Sequence, residues 1–232
     1  MKLKFGAIVT DGRNKVGGHV LSKNRAGSYM RTKVTPVNRQ SSAQTTVRAR
    51  LASLSTGFRG LGATLVAAWN NAVAQFKTTD IFGDIHNPTG LTLYQRLNNN
   101  LAKIGVTAIT TPPLPIAVSI FSGTPATLVA SLAGQSLTLT YAPAIPSSPL
   151  EKVYISATPS ISPGRSFVKS DFRYIQTIAA ADTSPVVLSV AYLARFGAIG
   201  AIGQKIFVKC QHISATTGQA SIPQIIQCVV TT

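Results

Sequence analysis

The sequence predicts an α+β protein: a small N-terminal β-meander plus short helices, followed by an all-β sandwich. Three observations carry this. Residues 2–35 alternate polar and apolar positions between turn residues. Residues 42–104 place apolar side chains every three or four positions. Residues 116–232 are rich in Val, Ile, Thr and Ser, with turn residues at regular intervals. The 232-residue chain is 45% hydrophobic, enough to bury a core. The expected boundaries are a basic β-meander and helical part at 1–110, a stiff proline-rich linker at 111–115 and the sandwich at 116–232. The linker is Thr111-Pro-Pro-Leu-Pro115, whose three prolines neither continue a helix nor enter a central strand.

In the meander, Leu3, Phe5, Ala7 and Val9 alternate before a turn at Asp11-Gly12. Strands are expected again around Gly18–Lys23 and Ser28–Val34, joined by a tight turn at Asn24-Arg-Ala-Gly27. Basic residues recur two apart: Lys2/Lys4, Arg13/Lys15, Lys23/Arg25 and Arg31/Lys33. Residues i and i+2 of a strand share a face, so each strand is expected to show a pair of cations on one side. Tyr29 falls on the face of Arg31 and Lys33. This reads as a contact surface for phosphate or acidic protein, or else as a solvated polar face. Cations packed so densely repel one another unless something neutralises them.

Thr35-Pro36 breaks the strand pattern, and Ser41 or Ser42 can cap a helix. Val47, Leu51, Leu54, Phe58, Leu61, Leu65, Trp69, Ala72 and Phe76 then step by three or four, a narrow seam resembling a coiled-coil stripe. Gly57, Gly60 and Gly62 cut across it, and three interior glycines cost one continuous helix about 3 kcal/mol. Two helices are therefore expected, at 42–59 and 64–76, with Thr64 capping the second. The seam packs either against the chain's own meander and third helix or between subunits. After Asn87-Pro-Thr-Gly90 a third helix is expected at 91–103, with Tyr94, Leu97, Leu101 and Ile104 on one side. Asn98-Asn-Asn100 weakens that helix.

Strands are expected at 116–121, 126–132, 136–142, 151–157, 167–178, 185–194, 205–213 and 222–230. Leu137/Leu139/Tyr141, Val153/Ile155 and Ile206/Val208/Cys210 alternate as half-buried strands do. So many short strands without a helical period fit an antiparallel sandwich. The run from Ala194 to Gly203 reads as a glycine-rich loop or a bulged edge.

Charge narrows the function. The chain carries 22 Lys+Arg against 6 Asp+Glu, a net +16, and Glu151 is its only glutamate. So few carboxylates disfavour glycosidases, metal-dependent nucleases and two-metal phosphotransferases. Residues 1–60 hold twelve of the basic residues and one acid, Asp11, so the partner is expected to be negative or the surface buried in an assembly. No apolar run is long enough to span a membrane or to act as a signal peptide, so a soluble chain is expected.

No catalytic residues and no cofactor are expected. Phosphate-loop, dinucleotide and nucleophile-elbow spacings are absent. Asp80 and Asp84, with His86 nearby, read as a polar loop between helices rather than as an acid–base pair. Cys210-Gln-His212 with Cys228 allows a three-ligand zinc site only weakly, and a Cys210–Cys228 disulfide needs the two on paired strands.

Several segments carry a resemblance: Phe5-Gly-Ala-Ile-Val, Gly17-Gly18, Ser22-Lys-Asn-Arg-Ala-Gly27, Tyr29-Met-Arg31-Thr-Lys-Val-Thr-Pro36-Val-Asn38, and Gln44 before Arg48. Trp69-Asn, Phe82-Gly, Asn87-Pro-Thr-Gly90 and Leu97-Asn-Asn-Asn-Leu101 extend it. The first half is similar to virion structural proteins of Bacteroidetes-type bacteriophages. The second half resembles an immunoglobulin-like or fibronectin-type sandwich in texture. The departures are Phe58 in place of a helix-end tryptophan, and Gly60 and Gly62 where stronger helix formers are expected. The resemblance implies a non-enzymatic virion component, made in the host bacterial cytoplasm, capsid-associated or minor. Its implied partners are other virion proteins of capsid or neck, further copies of itself and packaged nucleic acid. The alternative is a nucleic-acid-binding protein using the basic meander.

Overall fold

The computed structural model describes residues 1–6, 11–38, 40–116, 124–142, 151–179 and 184–232. Ala7 and Val9, and all but Ile116 of the strand expected at 116–121, lie outside them. The chain forms two compact units, Met1–Leu93 and Tyr94–Thr232. All but the first turn of the third helix, and the proline-rich segment at 111–115, thus group with the strands.

In the first unit, β1 (Lys2–Leu3), β2 (Asn14–Val16), β3 (His19–Asn24) and β4 (Gly27–Thr32) form an antiparallel sheet in the order β1-β4-β3-β2. Only β2, β3 and β4 meander. β1 instead takes the free edge of β4, where Met1 and Met30 exchange backbone hydrogen bonds of 2.7 and 2.8 Å. Gly17-Gly18 turns β2 into β3, and Gly17 sits at φ +57°, where glycine carries no Cβ penalty.

Ser41 caps α1 (Ser42–Arg59), its hydroxyl accepting from the Gln44 N–H. Gly60 closes the helix, and Gly62, at φ +79°, opens α2 (Gly62–Ala72). The split into two helices follows the glycines as expected. The second helix, however, starts at Gly62 without a side-chain cap, so Thr64 lies inside it, and its last turn, Val73–Gln75, tightens to a 3-10 helix. A small hairpin, β5 (Thr78–Thr79) with β6 (Ile85–His86), then leads to α3 (Gly90–Lys103).

The second unit is a seven-stranded mixed sheet of β7 (Thr124–Ser131), β8 (Ser136–Ala142), β9 (Glu151–Ala157), β10 (Arg173–Ile178), β11 (Val186–Val187), β12 (Lys205–Ser214) and β13 (Gln224–Thr231). Its order is β10-β9-β12-β13-β7-β8-β11, with β13 and β7 parallel and the other neighbours antiparallel. The sheet curls: Leu137, Leu139 and Tyr141 of β8 share one core cluster with Val153 and Ile155 of β9 and Ile206, Val208 and Cys210 of β12. These are the alternating sets the sequence marks as half-buried.

Two expected strands differ. Residues 185–194 form only the short β11 before turning into α4 (Ser189–Phe196). Leu188 and Tyr192, one turn apart, are both buried in the core, and the Tyr192 hydroxyl donates to the Thr158 carbonyl at 3.2 Å. The apolar run Val-Val-Leu-Ser-Val-Ala-Tyr-Leu masks this helical period. Of the strand expected at 167–178, only Arg173–Ile178 is strand.

The Asn98 carboxamide is buried in α3. It accepts from the Ile109 N–H at 2.7 Å and donates to the Ile109 carbonyl at 3.2 Å. Leu101 and Ile104 pack with Ile213 of β12, and the Asn100 amide donates to the Gly218 carbonyl at 3.0 Å. The asparagines therefore cost helix propensity, but Asn98 ties down the segment that follows and Asn100 holds the turn at Gly218. Replacing Asn98 with Ala leaves the backbone groups of Ile109 without these partners, and the expected loss is about 1–3 kcal/mol in denaturant titration. A loss below about 0.5 kcal/mol contradicts this role.

Among the described residues no helix is long and apolar enough to cross a membrane.

Candidate functional site

Strand register decides which cations of the first sheet stand together. Arg31 lies opposite Val20, and Val20 opposite Lys15. Tyr29 lies opposite Ser22 on one side and Lys2 on the other. Lys2, Lys15, Tyr29 and Arg31 therefore share one face, with Lys15 and Arg31 about 10 Å apart across the strands. Lys23 lies on the opposite face with Leu3, Leu21 and Met30, since it is one residue out of phase with Ser22. Arg25 sits in the two-residue turn between β3 and β4, and Lys4, Arg13 and Lys33 fall outside the strands. The expected pairing of cations along every strand thus reduces to one mixed row. The apolar face is filled partly by Phe5. A side chain at Gly12 would meet the Phe5 ring at 3.0 Å and Leu21 at 3.2 Å, so glycine lets these two close up.

Three of the expected contact cations are paired within the unit. Lys2 meets Asp80 at 3.1 Å, Lys4 meets Asp84 at 2.8 Å and Arg13 meets Asp11 at 3.3 Å. Lys4 also stands 5.4 Å from the centre of the Phe82 ring. The Asp80 side chain is only 5% exposed and accepts from the Phe82 and Asp84 N–H groups at 2.8 and 3.1 Å. Burial alone would raise its pKa, but the Lys2 ammonium and the two backbone donors outweigh burial and hold it below the ordinary range. The adjacent Asp84 carboxylate raises the Lys4 ammonium above its usual value. Asp80 and Asp84 thus form a polar hairpin loop clasping the start of the chain, while His86 Nε2 lies 3.1 Å from the Thr78 hydroxyl.

A carboxyl depressed by folding contributes stability fully above its unfolded value of about 3.9, and the contribution goes as pH falls through the folded value. The Phe82 and Asp84 amide resonances should therefore hold steady down to about pH 4 and move together below it. Movement centred near neutral pH contradicts the assignment.

Asp11, Asp80 and Asp84 are the only acids in residues 1–93, against thirteen Lys and Arg. Most cations of this unit therefore have no internal carboxylate to meet. Among the described residues, Lys15, Lys23, Arg25, Arg31 and Lys33 make no ion pair.

The helical seam divides. Leu54 and Trp69 are buried, and Phe58, Leu61 and Leu65 are half-buried. Val47 and Leu51, nearer the start of α1 than Leu54, are 52% and 42% exposed. From Leu54 onward the stripe is buried or half-buried, and its first two positions, Val47 and Leu51, stay open.

Among the described residues no three His, Cys, Asp or Glu side chains gather as metal ligands. Cys210 pairs across with Gln224, whereas Cys228 pairs with Ile206. The cysteines are thus offset by four residues, about 13 Å along the strands, too far for a disulfide. Both are free, and burial raises each thiol to about 11. Neither should react with a thiol reagent in the native protein at pH 8, and both should react in denaturant. Rapid native labelling of either contradicts this placement.

Sequence reasoning missed the Lys2–Asp80 and Lys4–Asp84 pairs. The only signal was that these acids are nearly alone in a basic half-chain. No protein-family model matches the chain, and neither does any curated protein or solved structure.

Proposed function

We propose that this protein is a non-enzymatic structural component of a bacteriophage particle, capsid-associated or minor, anchored through its basic first unit and displaying its strand-rich unit. One observation carries the reading: among the described residues of Met1–Arg59, only Leu54 is buried. A four-stranded sheet with no buried side chain gains little hydrophobic stabilisation, yet ordering each residue costs roughly 1–2 kcal/mol. Such a surface suits a chain that finishes its packing on a partner. The exposed Val47 and Leu51 add apolar area, and the unpaired cations call for a negative surface. The resemblance of the first half to phage virion proteins supports the same reading, with other virion proteins and further copies of this chain as partners.

The strand order of the second unit supports an immunoglobulin-like sandwich. β7 joins β13 on one side and β8 on the other, so β8 and β11 fold over β9 and β12 around a shared core.

Deleting residues 1–40 tests the proposal. The shortened protein should no longer enter particles, while its strand-rich unit keeps its strand signature in circular dichroism. Full occupancy in particles overturns the anchoring role.

A second reading, nucleic-acid binding, is favoured by Tyr29 sharing a face with Lys15 and Arg31. Cations beside an aromatic surface suit a phosphate backbone and its bases.

A further inference from the structure

The second unit carries a feature that composition hides, because it holds only seven basic residues in 116–232. Along the outer face of β12, Lys205, Phe207 and Lys209 occupy alternate positions. Gln227 of β13 lies opposite Phe207, and Ile225 lies opposite Lys209. The segment 166–168 forms the other wall, leaving a groove of ≈ 290 Å³ lined by Ser166, Phe167, Val168, Phe207, Ile225 and Gln227. Its rim is apolar and open: Phe167 is 69% exposed and Ile225 49%.

Two lysines flank Phe207, a lining residue, on the same face of β12. Lys205 donates to the Arg165 carbonyl at 3.3 Å, and the Lys209 ammonium stands 5.0 Å from the centre of the Phe172 ring. Neither meets a carboxylate among the described residues, and none lines the groove. Asp171 is paired with Arg165 at 3.3 Å.

We propose that this groove docks an extended peptide segment of a partner protein, in which one large apolar residue is bracketed by acidic residues two positions before and two after it. The match is geometric. Lys205 and Lys209 are four residues apart on a strand, about 13 Å, the span of side chains i−2 and i+2 of an extended peptide. The residue at i then lies over Phe207 and against Phe167, and Gln227 offers its amide to the peptide backbone. A small molecule fits less well, since small-ligand sites enclose most of their ligand, whereas Phe167 and Ile225 leave the rim of this groove exposed. The proposal does not depend on the anchoring role, because no residue of Met1–Leu93 takes part.

The test uses the ¹⁵N-labelled full chain and a capped peptide Thr-Asp-Thr-Phe-Thr-Asp-Thr. Amide shifts are expected at Phe167, Phe207, Ile225 and Gln227. They should be lost when Lys replaces both Asp of the peptide, or Ser replaces its Phe. A Lys205→Glu, Lys209→Glu variant should bind the acidic peptide about tenfold or more weakly and should gain binding to the lysine peptide. If that variant does not fold, Phe167→Ser, at an exposed position, should abolish the shifts while preserving the rest of the spectrum. Equal binding of all peptides, shifts outside the groove, or saturation of the groove by decanoate or oligothymidylate but not by the acidic peptide would overturn the proposal.

Discussion

Replacing Trp69 with Ala should destabilise the first unit by about 3–5 kcal/mol, the range for truncating an enclosed aromatic. Trp69 is fully buried, and the buried apolar set of Met1–Leu93 is small: Leu54, Trp69, Val73, Phe76 and Leu93 among the described residues. Few neighbours can shift to fill the space it leaves. Gly90, at the start of α3, already lies against Asn70, where a Cβ would collide with the side chain and meet the backbone N at 3.1 Å. The helices there have little room to slide. Trp69→Phe should recover a good part of the loss, because it keeps an aromatic body in the site. Denaturant unfolding followed by far-ultraviolet circular dichroism gives the difference. A loss below about 1 kcal/mol would show that Trp69 is not the centre of this packing.

The second large effect concerns the basic face. If the first sheet grips DNA, Lys15→Glu together with Arg31→Glu should lower the magnitude of the log–log salt slope by about 1.8, since each neutralised phosphate contributes about 0.9. Affinity at low salt should fall by at least an order of magnitude. Lys23→Glu is the control: it makes the same charge change as either single substitution, half that of the pair, but its side chain lies on the opposite face. A surface that reads only net charge responds equally to all three substitutions. A surface that uses the Tyr29 face responds to Lys15 and Arg31 and little to Lys23. Fluorescence anisotropy across a salt series separates these cases. If the unaltered protein does not bind DNA at low salt, the nucleic-acid reading falls and an acidic protein partner remains.

How much the sequence disclosed depended on whether a signal was local. β8 and β9 follow the alternation of Leu137/Leu139/Tyr141 and Val153/Ile155, and α1 runs from its serine cap to its glycines. These features need only neighbouring residues. α4 was hidden because nearly every position from Val186 to Leu193 is apolar or small, so no period stands out. The role of Asn98 was invisible because its partner, Ile109, lies beyond the helix. On the candidate surface, the i, i+2 rule located the cations but not their register. A one-residue offset sends Lys23 to the apolar side, and the distant acids Asp80 and Asp84 claim Lys2 and Lys4. Pairings between residues eighty positions apart leave no mark on local spacing.

Hydrogen exchange on the chain free in solution and bound in purified particles tests the division of labour most directly. The account predicts that β1 to β4 and the Val47–Leu51 stretch of α1 exchange readily in the free chain and become protected in the particle, while β8, β9 and β12 exchange equally slowly in both. Unchanged, rapid exchange over β1 to β4 in the particle, with new protection confined to the strand-rich unit, would contradict it.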